Sequence, residues 1–295
     1  MGVNPLAMRA GPHAPSLDPT TPTLLCLRRR ARPCDRELQA QDPREESCRM
    51  PVLALRNVSK HFGAIEALAG VDLAMEAGEI VGLMGDNGAG KSTLVKIIAG
   101  NFPPSGGEIE IAGKNVHFRK PVEARGEGIE VVYQDLALCD NLSASANIFL
   151  GREEKRRFGP FKVLNDRLMQ ARARELFAEL KSETRPADLV KAMSGGQRQA
   201  VAIARTRLSR AKILLMDEPT AAISVRQVAE VLDLIRRLRD SGIAILLISH
   251  RMPDVFTVAD RVAVLRRGHK VADKQIRHSS PEEVTGLITG AIKAA

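Results

Sequence analysis

A glycine-rich segment with one lysine and two hydroxyl side chains is the clearest chemical motif in the sequence. It matches G-x-x-x-x-G-K-[ST], follows an apolar run and opens a helical one, as the motif requires. Glycines let the backbone wrap closely around a β-phosphate, with successive N–H groups directed at its oxygens. Lys91 is then placed to reach the β- and γ-phosphates, and Ser92 to ligate Mg²⁺. The expected nucleotide contacts are Gly85, Asp86, Asn87, Gly88, Ala89, Gly90, Lys91, Ser92 and Thr93. The context disfavours a chance Lys-Ser in a glycine-rich turn.

Two carboxylates, Asp217 and Glu218, follow the apolar run Ile213–Met216. We expect Asp217 to hold Mg²⁺, directly or through water, and Glu218 to polarise an attacking water as a general base. An acidic pair at a strand end is more often a helix cap or a surface pair when it stands alone. Downstream of a phosphate loop, the catalytic interpretation is favoured.

Three other side chains lie where they could reach a bound nucleotide. His250 follows the apolar run Ala244–Ser249, and we expect it to approach the γ-phosphate or the attacking water. Gln134 follows Ile129–Tyr133, where its neutral amide can contact the metal or the water. Phe62 precedes the phosphate loop and could stack on adenine. The alternatives are a structural or exposed histidine, a surface glutamine and a core phenylalanine.

A second glycine-rich turn consists of Ser194, Gly195, Gly196 and Gln197, and it opens a helix predicted over Arg198–Leu208. Free N–H groups and the positive end of a helix form an anion site. The chain has two anion-binding turns but only one set of the other residues that a bound nucleotide needs. This indicates that the two turns contact different nucleotides. This arrangement predicts a dimer.

Composition limits the classes of partner. The chain has 295 residues, a net charge of +9 and a hydrophobic share of 44%, which is enough for a core. With no tryptophan and one tyrosine it offers few platforms for stacking on bases, so we expect no nucleic-acid partner. No apolar run approaches the roughly 20 residues that cross a bilayer. The cysteines form no C-x-x-C pair and are interpreted as free thiols: Cys26, Cys34, Cys48 and Cys139.

Residues 1–49 differ in composition from the rest, with recurrent proline, clustered arginine and no apolar period. Such a segment cannot bury enough surface to offset its ordering entropy, so it is predicted to be disordered. Met50 precedes the first strand-like run, Val52–Val58, and we expect it to be the biological start. The alternative is a genuine tail.

From Met50 onward, strand-like runs alternate with helical periods. Strands are predicted at Glu79–Met84, Ile129–Val132, Ile213–Met216 and Ala244–Ser249, and helices at Ser92–Ala99, Asn165–Lys181 and Val225–Arg239. Alternation predicts an α/β P-loop NTPase fold whose mostly parallel sheet has helices on both faces. Leu53–Ala74 and Glu108–Phe118 predict an N-terminal antiparallel β subdomain. Residues 137–208 predict an inserted helical subdomain, within a domain spanning 50–290.

Together these motifs resemble the nucleotide-binding subunit of an ATP-binding cassette (ABC) transporter, from Val52 to about Gly290. The matching segments are Phe62 (A-loop), Gly85–Thr93 (Walker A), Gln134 (Q-loop), Ser194–Gln197 (signature), Ile213–Glu218 (Walker B), Ala221–Ser224 (D-loop) and His250 (switch histidine). Within that family, Val132–Leu138, Ser194–Ala204 and Asp217–Ala222 are similar to bacterial monosaccharide importers of the ribose, xylose and fructose type. Many of those relatives fuse two cassettes, whereas this chain has one.

The resemblance implies an ATPase with Mg²⁺ on the cytoplasmic face of the inner membrane. Its implied partners are membrane permease subunits, a second copy of the chain and, indirectly, a periplasmic sugar-binding protein. Alternatives are an importer of amino acids or lipids, a soluble ABC ATPase acting on nucleic acid or the ribosome, and a non-catalytic regulator. The sequence departs from the family at Met193, where leucine is usual, and at Ser224, where aspartate is common. Met193 is expected to cost little, whereas Ser224 leaves the D-loop coupling open.

Overall fold

The computed structural model describes residues 50–209, 211–221 and 223–292. The predicted extension of residues 1–49, with its three cysteines, lies outside the described residues, and so does Ala222 of the D-loop. The start at Met50 and the domain limits of 50–290 stay predictions.

Strands and helices alternate through the described chain. The strands are β1 (Leu53–Phe62), β2 (Ile65–Met75), β3 (Ile80–Gly85), β4 (Gly106–Ile111), β5 (Lys114–Val116), β6 (Ile129–Val132), β7 (Lys155–Phe158), β8 (Phe161–Leu164), β9 (Ile213–Asp217), β10 (Ala244–Ile248), β11 (Arg261–Arg266) and β12 (His269–Gln275). The helices are α1 (Lys91–Ile98), α2 (Pro121–Gly126), α3 (Ala144–Phe149), α4 (Asp166–Glu179), α5 (Gly195–Leu208), α6 (Val225–Asp240), α7 (Met252–Val258) and α8 (Pro281–Thr289). Among the helices described, none is both long and apolar enough to span a bilayer.

The central sheet has the strand order β12-β11-β3-β10-β9-β6. Every neighbouring pair from β11 to β6 is parallel, and β12 adds an antiparallel edge. Leu214 and Met216 of β9 pack into one core, whereas Ile213 and Leu215 pack into the other. Successive side chains of a strand point to opposite faces, so this sheet is buried on both sides. The predicted α/β fold with a mostly parallel sheet is confirmed.

A second, antiparallel sheet has the order β2-β1-β4-β5. Its apolar residues share a core with α1 and with one face of the central sheet. The predicted N-terminal antiparallel strands are therefore present, and they pack against the helix that follows the phosphate loop.

The region from 137 to 208 contains α3, α4 and α5, whose buried side chains include Phe149, Phe177 and Val201. It also contains an antiparallel hairpin, β7–β8, which the sequence analysis did not predict. Helices α5 and α6 each begin with a capping box, formed by Ser194 with Gln197 and by Ser224 with Gln227. The Ser224–Gln227 box stands at the start of α6, which begins at Val225 as the sequence predicts.

Candidate functional site

The site residues expected around a nucleotide follow the carboxyl ends of adjacent parallel strands. The phosphate loop follows β3, His250 follows β10, Asp217 ends β9, and Gln134 follows β6. These strands lie side by side in the order β3-β10-β9-β6. In open α/β sheets, ligands bind outside this edge. The topology therefore gathers four sequence motifs at one edge of the sheet.

The phosphate loop requires glycine at its two ends. A Cβ on Gly85 would lie 2.3 Å from the carbonyl oxygen of Leu265 on β11, so a side chain would clash with backbone. Gly90 is the N-cap of α1 at a φ of 106°, which favours glycine. A Cβ at that position would also meet the Leu68 side chain at 2.7 Å. The loop is thus held tightly against β2 and β11 and leads directly into a helix N-terminus.

Lys91 folds back over this loop. Its Nζ donates hydrogen bonds to the carbonyl oxygens of Gly85 at 2.7 Å and Asp86 at 2.9 Å. Burial lowers the pKa of Lys91, while the nearby charges of Glu218, Asp86 and Asp217 oppose that shift. A partly desolvated ammonium gains more from an anion than an exposed one does, so the position of Lys91 suits a phosphate.

Two adjacent carboxylates stand at the end of β9, where Asp217 is the last residue of the strand and Glu218 follows it. Burial raises the pKa of Asp217, and the adjacent Glu218 carboxylate raises it further. A cation would stabilise the charged form of this pair. Gln134 and Asp217 line one cavity and offer it hard oxygen donors. The Ser92 hydroxyl, in the first turn of α1, is the third donor expected from the phosphate-loop motif. Such a set fits Mg²⁺, which binds through one or two carboxylates together with phosphates and water.

Glu218 has a strained backbone, and one of its carboxylate oxygens, Oε2, is buried. Its φ is 51°, which is uncommon outside glycine, and its N–H donates to the carbonyl of Ile248 on β10 at 2.9 Å. Oε2 lies 2.8 Å from Nδ1 of His250, yet the two are not aligned for a hydrogen bond, and Oε2 has no hydrogen-bond partner among the described residues. A buried acceptor without a donor is placed to receive one from water. Strain of this kind often marks a functional site.

Phe62 does not belong to the core. It is 47% exposed and packs edge-on against Phe102, with ring centroids 5.4 Å apart. The Nζ of Lys60 lies 5.3 Å from the centroid of the Phe62 ring. The core-packing alternative is therefore wrong for this residue, and its exposed surface is free for a planar ring. The sequence analysis did not single out Phe102.

The second glycine-rich turn forms the start of α5. The Ser194 hydroxyl accepts from the N–H of Gln197 at 3.3 Å, and the Gln197 side chain accepts from the N–H of Ser194 at 3.0 Å. The amides of Gly195 and Gly196 precede the first intrahelical bond, so they remain available to an anion. Met193 packs against the core, as its apolar character predicts.

This turn is not joined to the phosphate loop of its own chain. Across residues 50–209, 211–221 and 223–292, no hydrogen bond or ion pair links Ser194–Gln197 to Gly85–Thr93. Gly195 instead lies against the D-loop, where a Cβ would meet the side chain of Ile223 at 2.6 Å. The structure thus brings together Walker A, Walker B, Gln134 and His250, and it leaves the signature turn beside the D-loop.

Two arginines of α5 hold the segment after Gln134, and the sequence analysis missed both. Arg205 donates to the carbonyl oxygens of Ala137 at 3.0 Å and Leu136 at 3.3 Å. Arg198 pairs with Asp140. Leu136 and Ala137 are consecutive non-glycine residues with φ of 57° and 44°, so this segment is strained. Burial lowers the pKa of Arg205, but a guanidinium stays charged at neutral pH.

Arg205 therefore connects the helix of the signature turn to the loop that carries Gln134. We expect Arg205→Ala to lower kcat for nucleotide hydrolysis about tenfold, because two charge-assisted hydrogen bonds fix the strained loop. Nucleotide affinity without Mg²⁺ is expected to change little. Steady-state kinetics and nucleotide titration measure the two quantities.

Arg207→Ala is the matched control, because it removes a charge from the same helix at a side chain paired with Glu179 rather than with the loop. If Arg205 acts through Gln134, the double variant with Gln134→Ala will lose less than the sum of the two single losses in free energy. Full additivity would show that Arg205 has only a general structural role.

A buried hydroxyl–carboxylate pair anchors the segment after Glu218. Thr220 Oγ1 donates to Asp254 Oδ2 at 2.6 Å, and both residues are buried. Asp254 belongs to α7, the helix that follows His250. The residue that precedes the D-loop is thereby tied to the helix that follows His250. No pattern in the sequence marks Asp254, because its role depends on a partner 34 residues away.

The fold and this arrangement of motifs define a P-loop nucleotide-binding ATPase of the cassette type. A family profile described as ABC transporter matches residues 68–221. The chain belongs to the ABC transporter family.

Curated relatives resemble the chain over most of its length. The xylose/arabinose import ATP-binding protein of Sulfolobus acidocaldarius is 44% identical over 239 residues, covering 81% of this chain and 94% of that protein. The fructose import ATP-binding protein of Rhizobium meliloti is 42% identical over 246 residues, covering 82% and 95%. The ribose import ATP-binding protein of Geobacillus kaustophilus is 38% identical over 239 residues, and the match covers 81% of this chain but 48% of that protein. This chain therefore spans about half the length of the ribose import protein.

Solved structures share the fold. A nucleotide-free ATP-binding cassette from an ABC transporter superposes with a TM-score of 0.68 at 24% identity, over 81% of this chain and 96% of that one. A dimeric cassette in a post-hydrolysis state, bound to ADP and Pi, gives a TM-score of 0.63 at 26% identity, over 77% of this chain and 100% of that one.

Proposed function

We propose that the chain is the ATP-hydrolysing subunit of an importer whose cargo is a monosaccharide. The observation that carries this proposal is the similarity to import ATP-binding proteins for xylose/arabinose and for fructose, each over more than nine tenths of its length. The relatives serve different sugars, which fits a subunit whose nucleotide-binding edge carries the shared chemistry and whose residues do not select the cargo.

The geometry supports a division of roles at the nucleotide. Backbone amides from Gly85 to Thr93 hold the phosphates, and Lys91 leaves its carbonyl partners to contact the β- and γ-phosphates. Phe62 offers its exposed surface to adenine. Glu218 polarises the attacking water, and His250 approaches the γ-phosphate. Mg²⁺, when bound by Ser92, Gln134 and Asp217, stabilises the charge that develops on the phosphates.

Two copies of the chain are proposed to face each other head to tail. Ser194–Gln197 of one copy then covers the nucleotide held by Gly85–Thr93 of the other. Its position beside the D-loop of its own chain, rather than at its own phosphate loop, supports this geometry. A symmetric pair of this kind closes both sites at once. A single set of motifs in the chain makes a homodimer the simplest assembly.

The remaining partners follow from the proposed importer. The dimer binds membrane permease subunits at the cytoplasmic face of the inner membrane, and a periplasmic sugar-binding protein delivers the cargo. The helices from 137 to 208 and the loop after Gln134 pass the closing motion to the permease. Arg205 supports this role because it joins that loop to the signature helix.

A deletion of the gene tests the function. We expect the deletion strain to lose growth on one monosaccharide as sole carbon source, because ATP hydrolysis no longer drives its uptake. Wild-type protein restores growth and Lys91→Ala does not. Growth on a panel of monosaccharides and amino acids, with uptake of the labelled sugar, is the measurement.

Other outcomes would contradict parts of the proposal. Normal growth on every sugar together with a growth defect on one amino acid would show that the cargo is that amino acid and not a monosaccharide. A defect in DNA repair or translation, together with nucleic acid on the purified protein, would favour the soluble class of ABC ATPase.

A further inference from the structure

The hairpin β7–β8 carries a dense group of cations that the proposed ATPase site does not use. Lys155, Arg156, Arg157 and Lys162 are all exposed, and no acidic residue occurs from 155 to 165. The hairpin is a separate two-stranded sheet. Isolated two-stranded hairpins are marginally stable in water, so an exposed one gains stability from a surface that covers it.

Neighbouring carboxylates form no ion pair with these four cations among the described residues. The pKa of Glu153 is nevertheless lowered, first by the backbone hydrogen bond from Gly151 and also by the charge of Lys155. Glu153 at the base of the hairpin accepts from the N–H of Gly151 at 2.9 Å, and Glu154 pairs with Arg172 of α4. The positive charge of the hairpin therefore faces solvent.

Apolar side chains share the hairpin with the cations. Phe161 is 69% exposed, Leu164 is 56% exposed and Val163 is 37% exposed. Residues directly opposite in an antiparallel pair project to the same face. Leu164 is thus beside Lys155 on one face, and Val163 is beside Arg156 on the other. Each face presents cationic and apolar groups together.

We propose that this hairpin binds an anionic phospholipid surface, which places it against the cytoplasmic leaflet. The inference rests on the membrane location in the proposed function. Cations that meet lipid phosphates, beside aromatic and aliphatic side chains that enter the headgroup boundary, are the chemistry of interfacial membrane binding. Such a surface needs no fixed pattern of hydrogen bonds, and within the described part of the chain the four exposed cations form no ion pair.

The test uses the full chain with phosphatidylcholine vesicles that contain or lack phosphatidylglycerol. We expect the protein to co-sediment with the anionic vesicles much more than with the neutral ones. Each cation near an anionic surface contributes about fivefold in affinity. Because four such contributions multiply, the variant with Lys155, Arg156, Arg157 and Lys162 all changed to Gln is expected to bind about 600-fold more weakly. Phe161→Ser is expected to weaken binding without any change of charge.

A control variant loses four cations from elsewhere on the exposed surface. Its changes are Lys114→Gln, Arg119→Gln, Lys120→Gln and Arg277→Gln. Binding of this control within about twofold of the wild type supports the hairpin as the site, because the loss of net charge is the same. An equal loss in the control would overturn the proposal. So would hairpin variants that bind vesicles normally but fail to associate with the permease, which would indicate a protein partner.

Nucleotide binding and ATP hydrolysis by each variant keep the two proposals separable. Unchanged hydrolysis with lost vesicle binding supports the hairpin as a lipid contact outside the ATPase site. A wild-type protein that binds anionic vesicles but does not hydrolyse ATP would contradict the proposed ATPase function and leave the hairpin result in place.

Discussion

Glu218→Gln is expected to retain ATP binding and to lower the rate of hydrolysis about 10²- to 10⁴-fold, the usual contribution of a positioned general base. Glutamine keeps the size and the burial of the side chain, but it cannot accept a proton from water. Glu218 Oε2 is buried, lies 2.8 Å from His250 Nδ1 and accepts no hydrogen bond from the described residues, so it can accept one from water. Because ATP binds but persists, the variant is expected to accumulate as an ATP-bound dimer. Single-turnover hydrolysis, nucleotide titration and size-exclusion chromatography measure the three effects.

The control for this prediction is Glu179→Gln, which changes an exposed carboxylate that ends α4 and pairs with Arg207. Exposed pairs of this kind contribute little, so hydrolysis is expected to stay within about twofold of the wild type. Wild-type turnover by Glu218→Gln would show that another group activates the water. Loss of ATP binding in that variant would show instead that Glu218 has a structural role.

The nucleotide-binding edge could be predicted because its chemistry is local in sequence. A glycine-rich turn between an apolar run and a helical one specifies the phosphate loop within nine residues, Gly85–Thr93. Apolar runs that end in Asp217 and in His250 specify strand ends, and parallel strands align their carboxyl ends at one edge. For these motifs the local sequence pattern marks each strand end, and the parallel topology then brings those ends together, so the position of the site could be predicted.

The features that sequence reasoning missed depend on contacts between distant segments. Arg205 acts on two backbone carbonyls that are 68 and 69 residues away, and no side-chain pattern encodes a carbonyl partner. The hairpin β7–β8 was missed because strands of four residues give a weak periodic signal, and the charged residues of β7 suggest a loop. The capping box at Ser194 could have been found, because Ser-x-x-Gln at the start of a helical run is the sequence signature of this motif.

That capping box bears on how the signature turn can serve a second subunit. The Ser194 hydroxyl accepts from the Gln197 amide, and a hydroxyl can still donate while it accepts. Ser194 can thus cap its own helix and donate to a phosphate oxygen at the same time. Asparagine and aspartate cap helices about as well as serine, but aspartate adds a negative charge facing the phosphate. These two substitutions separate the cap from the anion contact.

We expect Ser194→Asp homodimers and Lys91→Ala homodimers each to lose most ATPase activity, and a mixture of the two to recover it in part. In a head-to-tail pair, the mixed dimer combines the intact phosphate loop of the Ser194→Asp chain with the intact signature turn of the Lys91→Ala chain. When the two variants are mixed in equal amounts and exchange freely, about half of the dimers are mixed dimers. Each mixed dimer has one complete site where the wild type has two, so about a quarter of wild-type activity is expected. Steady-state ATPase activity as a function of mixing ratio measures the recovery.

Ser194→Asn supplies the matched control, because it keeps the cap without the charge and is expected to retain far more activity than Ser194→Asp. Mixing Lys91→Ala with Glu218→Gln gives a second control with the opposite expectation. Lys91 and Glu218 are at the same edge of one chain, so every mixed dimer has both sites defective and no activity returns. Recovery in this second mixture, or none in the first, would contradict a site shared between subunits. If activity returns in the first mixture and not in the second, the signature turn of one chain must complete the nucleotide site of the other.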